Sequence, residues 1–323
     1  RKLYNHECLA PVLSQCRNKH EELQRHCAGV IANLADDSQN QVDIARFSNC
    51  LVTIGELGIE SNQVSVKRDV ARAYALLSSS PENHFGIFTD EVITKMRIFL
   101  EGALKIEEVG IAMGLALGNL AVAQANHVHI ADCGCLKPLI WLLSSPRSEC
   151  QFYAARAIFR LAACSENQIK LVDANALPPL IELLANGKED GRLAACMAIC
   201  NLATCEEARM FIAKAGAIPH LVAMLDENVS AEGQRCGAMA LCNLAADYEN
   251  QKRIVSAGGL EPLIKLVYSK SLECKRYAGM TLCNLSTYKG NRPAMIERNV
   301  LDALAHLAEC ESVEIQRCAS LAL

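Results

Sequence analysis

Residues 193–217 read LAACMAICNLATCEEARMFIAKAGA, and this stretch decides the fold. It joins the end of one predicted helix, which closes on Cys-Asn-Leu-Ala, to the start of the next repeat, which is marked by Ala-Gly-Ala. Near-copies of the stretch recur before and after it at a fixed interval. Self-similarity with a period of about 20–50 residues is the mark of a repeat protein, so the repeat is the feature that organises the chain.

The asparagine of the Cys-Asn-Leu-Ala signature, which we call the rung, sets the register of the repeat. Rung positions lie 41–43 residues apart, at Asn33, Leu76, Asn119, Arg160, Asn201, Asn243 and Asn284. We predict a single solenoid over residues 1–323, with about eight repeats that end near residues 39, 82, 125, 166, 207, 249 and 290. The chain starts at Arg1 within a predicted second helix and stops at Leu323, just short of the next rung. We therefore expect incomplete first and last repeats, as in a segment of a longer protein or one whose ends a partner covers.

Composition favours an all-α chain in a reducing compartment. Aromatic residues make up 5% of the chain, and Ala and Leu dominate the 51% hydrophobic share, which suits close helix packing more than sheets. The net charge of −4 provides no general attraction to nucleic acid or to an anionic membrane. The sequence lacks an apolar run of about 18 residues and a signal peptide. We expect an intracellular protein, with the cytoplasm favoured over the nucleus.

The 17 cysteines follow the helix period, so we interpret them as small buried hydrophobes. Three directly precede a rung and three fall six or seven residues before one: Cys200, Cys242, Cys283, Cys27, Cys236 and Cys318. The nearest candidates for paired metal ligands are Cys133 with Cys135 and His127 with His129. Neither has a second pair nearby at ligand spacing, so we expect no metal site.

Each repeat divides into three predicted helices. The first is short, as at residues 209–214, and ends at a Gly or Asn that tolerates a left-handed turn: Gly134, Asn175, Gly216, Gly258 and Asn299. A proline then opens the second helix, at Pro138, Pro178, Pro219 and Pro262. The third helix begins with an acidic residue that suits the helix dipole, at Glu149, Asp190, Glu232 and Glu273, and closes on the rung.

The stretches AGAIPHLVAML (residues 215–225) and GAMALCNLA (residues 237–245) resemble the armadillo repeat family. The likeness covers the chain, is best from about Asn126 to Lys289, and is closest to the β-catenin and vacuole-associated armadillo scaffold type. It implies an all-α, right-handed superhelical solenoid of three-helix repeats, whose third helices line a concave groove. The repeat between Asn40 and Asn83 departs from the pattern, since it lacks the Gly-Ala-Ile-Pro turn and has Leu76 at the rung.

The resemblance also implies a role for the rung asparagines, which in this family bond the backbone of an extended peptide. It transfers that role to Asn119, Asn201, Asn243 and Asn284, and extends it to Asn33. The alternative is that each amide bridges backbone groups of neighbouring repeats. In importin-α-like members, a tryptophan four residues before the rung holds a basic cargo. Here that position holds Gly29, Arg72, Leu115, Arg156, Met197, Met239 and Met280, which argues against such a cargo.

Arg156 and Arg160 lie four residues apart on the predicted groove face, and Phe152, one turn earlier, offers no acid to balance them. Guanidinium groups bind carboxylates and phosphates bidentately. Our hypothesis is a groove for an extended, partly acidic peptide, lined by Arg72, Asn119, Arg156, Arg160, Asn201, Asn243 and Asn284, with Arg68, Tyr153, Arg235 and Arg276 at its edge. The alternatives are that these arginines keep the face soluble and that Arg235 and Arg276 pair with Glu232 and Glu273 three residues earlier.

No catalytic motif is evident, so we expect a non-enzymatic protein-interaction scaffold without a cofactor. Two other classes stay open. The chain could be a structural element of a large cytoskeletal or ciliary assembly, held by its ends and convex face against neighbouring subunits. It could also be the substrate-binding region of a larger ubiquitin ligase. Nucleic acids and small molecules are disfavoured as partners.

Overall fold

A computed structural model of the chain describes residues 6–310 and 312–322, so Arg1 and Leu323, which define the predicted incomplete ends, lie outside the described residues. All regular secondary structure in this part of the chain is helical. The chain divides into two compact units, Arg1–Lys170 (the N-terminal unit) and Leu171–Leu323 (the C-terminal unit). The fold is an all-α repeat solenoid, as predicted. That residues 1–323 form one continuous, right-handed superhelix stays a prediction.

The N-terminal unit is built from ten α-helices and a short 3-10 helix within the described residues. They are α1 (His6–Cys16), α2 (Glu21–Ala35), α3 (Ser38–Arg46), α4 (Cys50–Glu60), α5 (Val64–Leu77), the 3-10 helix Pro81–His84, α6 (Asp90–Ala103), α7 (Glu107–Leu120), α8 (Asn126–Asp132), α9 (Leu136–Leu142) and α10 (Ser148–Leu161). The third helices α2, α5, α7 and α10 pack side by side in that order, which aligns their rung positions. Helix α11 (Ser165–Asp173) contains the boundary.

The C-terminal unit repeats the same plan. Its elements are α12 (Leu177–Asn186), α13 (Glu189–Leu202), α14 (Glu206–Lys214), α15 (Ala217–Ala223), α16 (Ala231–Leu244), α17 (Tyr248–Ser256), α18 (Leu260–Val267), α19 (Leu272–Thr287), the 3-10 helix Lys289–Asn291, α20 (Arg292–Glu297), α21 (Val300–Ala308) and α22 (Val313–Ala322). The third helices α13, α16, α19 and α22 pack in series.

The left-handed turns confirm the sequence prediction, since all five predicted residues have positive φ, from 55° at Asn299 to 89° at Gly216. Two further residues, Asn49 and Gly86, make the same turn at φ 57° and 71° in the less regular repeats. The prolines are placed slightly differently from the prediction. Each second helix begins one or two residues before its proline, as α15 does at Ala217 before Pro219, because the first turn needs no N–H donor.

The core is formed by alanines, leucines and cysteines, which allow close approach of the third helices. Cys27, Cys200, Cys236 and Cys242 are buried, while Cys283 is half-buried. The side chain of Cys318 lies outside the described residues. Burial raises the pKa of the Cys50 and Cys200 thiols to about 12. Such thiols are inert, so these cysteines contribute packing.

Candidate binding faces of the third helices

The rung residues of the C-terminal unit bridge neighbouring repeats. Asn243 donates from Nδ2 to the carbonyl oxygen of Cys200 at 3.4 Å, and Asn284 donates to that of Cys242 at 3.4 Å. In both cases the acceptor belongs to the residue directly before the preceding rung. The alternative raised by the sequence, an amide that joins adjacent repeats, is therefore realised at these two rungs.

The N-terminal unit makes the same bridge with different chemistry. Arg160, which replaces the rung asparagine, donates from Nη1 to the carbonyl oxygen of Gly118, the residue before rung Asn119. Asn119 donates to Ser78 Oγ at 3.4 Å, and Ser78 Oγ donates to the carbonyl oxygen of Ala75, the residue before rung Leu76. A side chain at the rung position therefore bonds the preceding repeat whether it is asparagine or arginine, and Arg160 makes this bond in place of an asparagine.

Bridging leaves the rung amides able to bind a ligand. An asparagine amide has two N–H donors and one acceptor oxygen, whereas each bridge uses a single N–H. Asn119, Asn201, Asn243 and Asn284 are all half-buried, so part of each side chain faces solvent. Asn33 is exposed and accepts a hydrogen bond from Arg72 Nη2 at 2.5 Å.

Arg156 is held by two aromatic rings. Its guanidinium carbon lies 5.5 Å from the ring centroid of Phe152 and 5.3 Å from that of Tyr153, and cations are attracted to ring faces at such distances. Its Nε is buried without a hydrogen-bond partner. Tyr153, predicted at the groove edge, therefore orients this guanidinium, and Phe152 shares that role.

The charges of Arg156 and Arg160 are not neutralised within the described part of the chain. No ion pair there includes either residue, although other arginines have carboxylate partners. Burial, and then the charge of Arg156, lower the pKa of the Arg160 guanidinium. An anion near these two side chains would relieve their mutual repulsion. Together with Arg72, Tyr153 and Asn119 they form what we call the arginine face.

Arg68 adds no uncompensated positive charge to the arginine face. Its Nη2 lies 2.8 Å from Glu108 Oε1 on the next third helix. The sequence placed Arg72 in the groove lining and Arg68 at its edge, and of these two arginines only Arg72 lacks a carboxylate partner among the described residues. Glu108 lies 40 positions further along the chain, so helix-local reasoning did not find it.

The corresponding face of the C-terminal unit carries methionines. Met197, Met239 and Met280 occupy the position four residues before the rung on α13, α16 and α19, and all three are half-buried. With Asn201, Asn243 and Asn284 they form what we call the methionine face.

The arginines at the edge of the methionine face are paired, which is the alternative that their spacing from Glu232 and Glu273 raised. Arg235 bonds both carboxylate oxygens of Glu232, at 2.9 and 2.5 Å. Arg276 Nε lies 4.0 Å from Glu273 Oε1. The guanidinium of Arg276 also lies over the ring of Tyr277, at 4.7 Å from its centroid.

A second polar series, which the sequence interpretation missed, closes the third helices. Seven residues after the rung, five asparagines donate to the carbonyl oxygen of the residue that follows the rung, and three of these five also bond the preceding repeat; the five are Asn40, Asn83, Asn126, Asn167 and Asn291. Asn126 bonds the carbonyls of Leu120 at 2.9 Å and His84 at 2.8 Å, and Asn167 bonds those of Leu161 and His127. The next residue is Gln, His or Arg and bonds the carbonyl one position further on, as Gln168 does at Ala162. The recurring Asn-Gln and Asn-His pairs were the available signal.

The structure brings the predicted residues together in two groups, one in each unit. Arg160 and Asn119 lie on the adjacent helices α10 and α7, with Arg156 and Tyr153 on the turns before Arg160. Asn201, Asn243 and Asn284 lie on α13, α16 and α19. Within the described residues, no helix is both long and apolar enough to span a membrane. No group of three or more His, Cys, Asp or Glu in the same residues could hold a metal ion.

Comparisons with known proteins agree with this architecture. The family model described as Armadillo/beta-catenin-like repeat matches residues 126–163, 164–204 and 247–287. Among solved structures, an engineered protein is 24% identical over 99% of this chain and 88% of its own, with a TM-score of 0.67. No curated protein matches this chain.

Two designed proteins are also similar to this chain. A computationally designed armadillo repeat protein for modular peptide recognition is 29% identical over 71% of this chain and 98% of its own, with a TM-score of 0.66. A designed armadillo repeat protein in complex with the peptide (KR)4 is 22% identical over 86% of this chain and 99% of its own, with a TM-score of 0.53. That last likeness concerns the fold alone.

Proposed function

Because this chain is an armadillo-repeat protein, we propose that it is a non-enzymatic interaction scaffold whose arginine face binds an extended, partly acidic peptide segment of a partner protein. One observation carries the proposal. Arg156 and Arg160 are two half-buried guanidinium groups, one turn apart, without a carboxylate partner among the described residues. The similarity to an armadillo protein designed for modular peptide recognition supports it.

In this proposal each side chain of the arginine face has a separate task. The Phe152 and Tyr153 rings hold Arg156 in place, so less conformational freedom is lost when it binds an anion. Arg160 is anchored by its bond to the Gly118 carbonyl and keeps its other N–H groups for the ligand. Asn119 and Arg72 lie on the neighbouring third helices α7 and α5, where an amide and a third guanidinium can bond the backbone and acidic side chains of an extended segment.

The test compares R156A/R160A with R147A in the full chain. Arg147 already pairs with Glu107 and Glu149, so it serves as a control for loss of an arginine. Fluorescence anisotropy with a synthetic 12-residue peptide of Glu, Ser and Gly measures affinity, and circular dichroism checks folding. We expect the double variant to weaken binding about 10–100-fold, since hydrogen bonds between charged groups contribute about 1.5–3 kcal/mol.

Two outcomes would contradict the proposal. One is equal affinity of the natural chain and the folded R156A/R160A variant for the acidic peptide. The other is equal binding of a matched peptide in which Lys replaces every Glu, because the uncompensated guanidinium groups should repel it.

A further inference from the structure

A groove of about 700 Å³ lies in the C-terminal unit between the second helix α18 and the loop that follows the second helix α15. This volume is within the usual range of ligand-binding clefts. Its walls include the apolar side chains of Leu225, Pro262 and Leu266 and the side chain of Tyr268. None of the described residues that line it is a rung residue or lies four positions before one. The groove is therefore a surface separate from the arginine face and the methionine face.

Tyr268 gives this groove an aromatic wall. Its ring lies against the ring of His306, with 4.8 Å between the two centroids and an angle of 32° between the planes. Tyr268 is nevertheless 54% exposed, so the stacking leaves much of its surface open to a ligand. A cation that lies over the face of a tyrosine ring is attracted to it.

The charges of the groove favour the same kind of ligand. Asp226 and Glu227 line it, and no ion pair among residues 6–310 and 312–322 includes either carboxylate. A third carboxylate, that of Glu261, is already neutralised, since it lies 3.5 Å from Lys265 Nζ and 3.7 Å from an Arg298 nitrogen. Two negative charges in the groove thus lack a partner.

The Asp226 carboxylate is positioned before a ligand binds. Its Oδ1 accepts hydrogen bonds from the backbone N–H and from Nδ2 of Asn228, at 2.9 and 2.8 Å. Gln234 Nε2 donates to the Asp226 carbonyl oxygen at 2.8 Å, which ties the loop to α16. The backbone N–H of Asn228 lowers the pKa of the Asp226 carboxyl, so this group is ionised at neutral pH. Neither bond to the carboxylate uses Oδ2, which leaves that oxygen for a ligand.

We propose that this groove binds an arginine side chain of a partner protein, whose guanidinium group lies against the Tyr268 ring and bonds the Asp226 and Glu227 carboxylates. A guanidinium group is planar, stacks on aromatic faces and matches carboxylates, whereas the ammonium group of lysine is a compact, strongly hydrated charge. The apolar stem of arginine suits the apolar walls of the groove. The site differs from the arginine face in position and in the sign of its charge, and it goes beyond the proposed function.

The experiment measures binding of a synthetic 12-residue peptide of Arg, Gly and Ser to the full chain by fluorescence anisotropy. Salt is held at about 0.05 M, where exposed charges are weakly screened. Two matched peptides replace every Arg. One has citrulline, which keeps the shape without the charge, and the other has Lys, which keeps the charge without the planar group.

The main variants are D226N/E227Q, Y268L and Y268F, and circular dichroism checks that each is folded. E189Q/D190N is the matched control, because Glu189 and Asp190 are exposed on α13 in the same unit and their replacement changes the net charge equally.

We expect D226N/E227Q to bind the arginine peptide about fivefold more weakly than the natural chain, because two exposed ion pairs are lost. Y268L should bind it about threefold more weakly, whereas Y268F keeps the ring and should bind it normally. E189Q/D190N and R156A/R160A should bind it within about twofold of the natural chain, and R156A/R160A separates this inference from the arginine face. The citrulline and lysine peptides should bind the natural chain more weakly than the arginine peptide.

Several results would overturn the inference. Equal losses in D226N/E227Q and E189Q/D190N would assign the attraction to net charge. Unchanged affinity of folded Y268L would remove the aromatic ring from the site. Equally tight binding of the citrulline or the lysine peptide, or no binding of the arginine peptide, would show that the groove does not recognise a guanidinium group.

Discussion

Arg156 and Met239 occupy the same place in their repeats, four residues before the rung on a third helix. Arg156 is a cation that lies beside two aromatic rings, whereas Met239 is a neutral thioether. The bridges beneath them are equivalent, since Arg160 and Asn243 both donate to the carbonyl before the preceding rung. The backbone scaffold is therefore shared, while the side chains one turn away determine the ligand chemistry.

Among the substitutions that test this difference between the two faces, reversing the charge of the arginine face should change peptide affinity the most. In R156E/R160E, affinity for the acidic peptide should fall about 100-fold or more, equivalent to roughly 2.7 kcal/mol, because attraction becomes repulsion. Titration calorimetry measures it. K137E/K214E, which alters net charge equally at exposed positions on α9 and α14, should bind within about twofold of the natural chain. A similar loss in both variants would mean that net charge, and not this face, attracts the peptide.

Removing a hydrogen bond of the second polar series should lower the free energy of unfolding and should not change peptide affinity. N126A leaves the carbonyls of Leu120 and His84 without their buried donor, and we expect a loss of about 2 kcal/mol. N291A removes the bond to Leu285 in the C-terminal unit and should cost about 1 kcal/mol. Urea unfolding measures both. N186A, at an exposed asparagine, is the control, and equal stability of N126A and N186A would contradict the structural role of the series.

Moving a cation to the methionine face should make the two faces more alike. M239R places a guanidinium at the position equivalent to Arg156, and we expect about fivefold tighter binding of the acidic peptide, or roughly 1 kcal/mol. Raising the salt concentration from 0.05 to 0.5 M should abolish the gain. If M239R and M239Q bind the acidic peptide equally, the position does not contact ligands.

The smallest effect concerns the paired arginines. Arg235 lowers the pKa of Glu232 below its ordinary 4.5 through a side-chain hydrogen bond. A lowered pKa in the folded state stabilises the protein above the ordinary pKa and is lost as the pH falls through the lowered value. E232Q should cost about 0.2–0.5 kcal/mol at pH 7, with a smaller difference at pH 3. Thermal unfolding at the two pH values measures it, and an equal cost at both would assign the effect to packing.

Much of the fold was predictable because it depends on short-range rules. The 41–43-residue interval can be read directly from the recurring signature. The acidic helix starts and the residues at left-handed turns depend on chemistry within one or two helical turns. The ion pair of Glu232 and Arg235 was predictable for the same reason, because the two residues lie three positions apart on one helix.

Part of the candidate site was not predictable in this way. Glu108 neutralises Arg68, and Arg160 bonds Gly118, across about one repeat of sequence. The buried asparagines at 126 and 167 resembled surface residues until packing placed them against carbonyl groups of the preceding repeat. Each of these contacts requires the register between two stacked repeats, which local propensities do not encode.

The sequence by itself therefore determined an all-helical repeat and the positions that face outward from its third helices. Only the tertiary structure decided which cations keep an uncompensated charge. Neutralisation depends on distances of a few ångströms between side chains about 40 residues apart, and these distances exist only once the repeats have stacked.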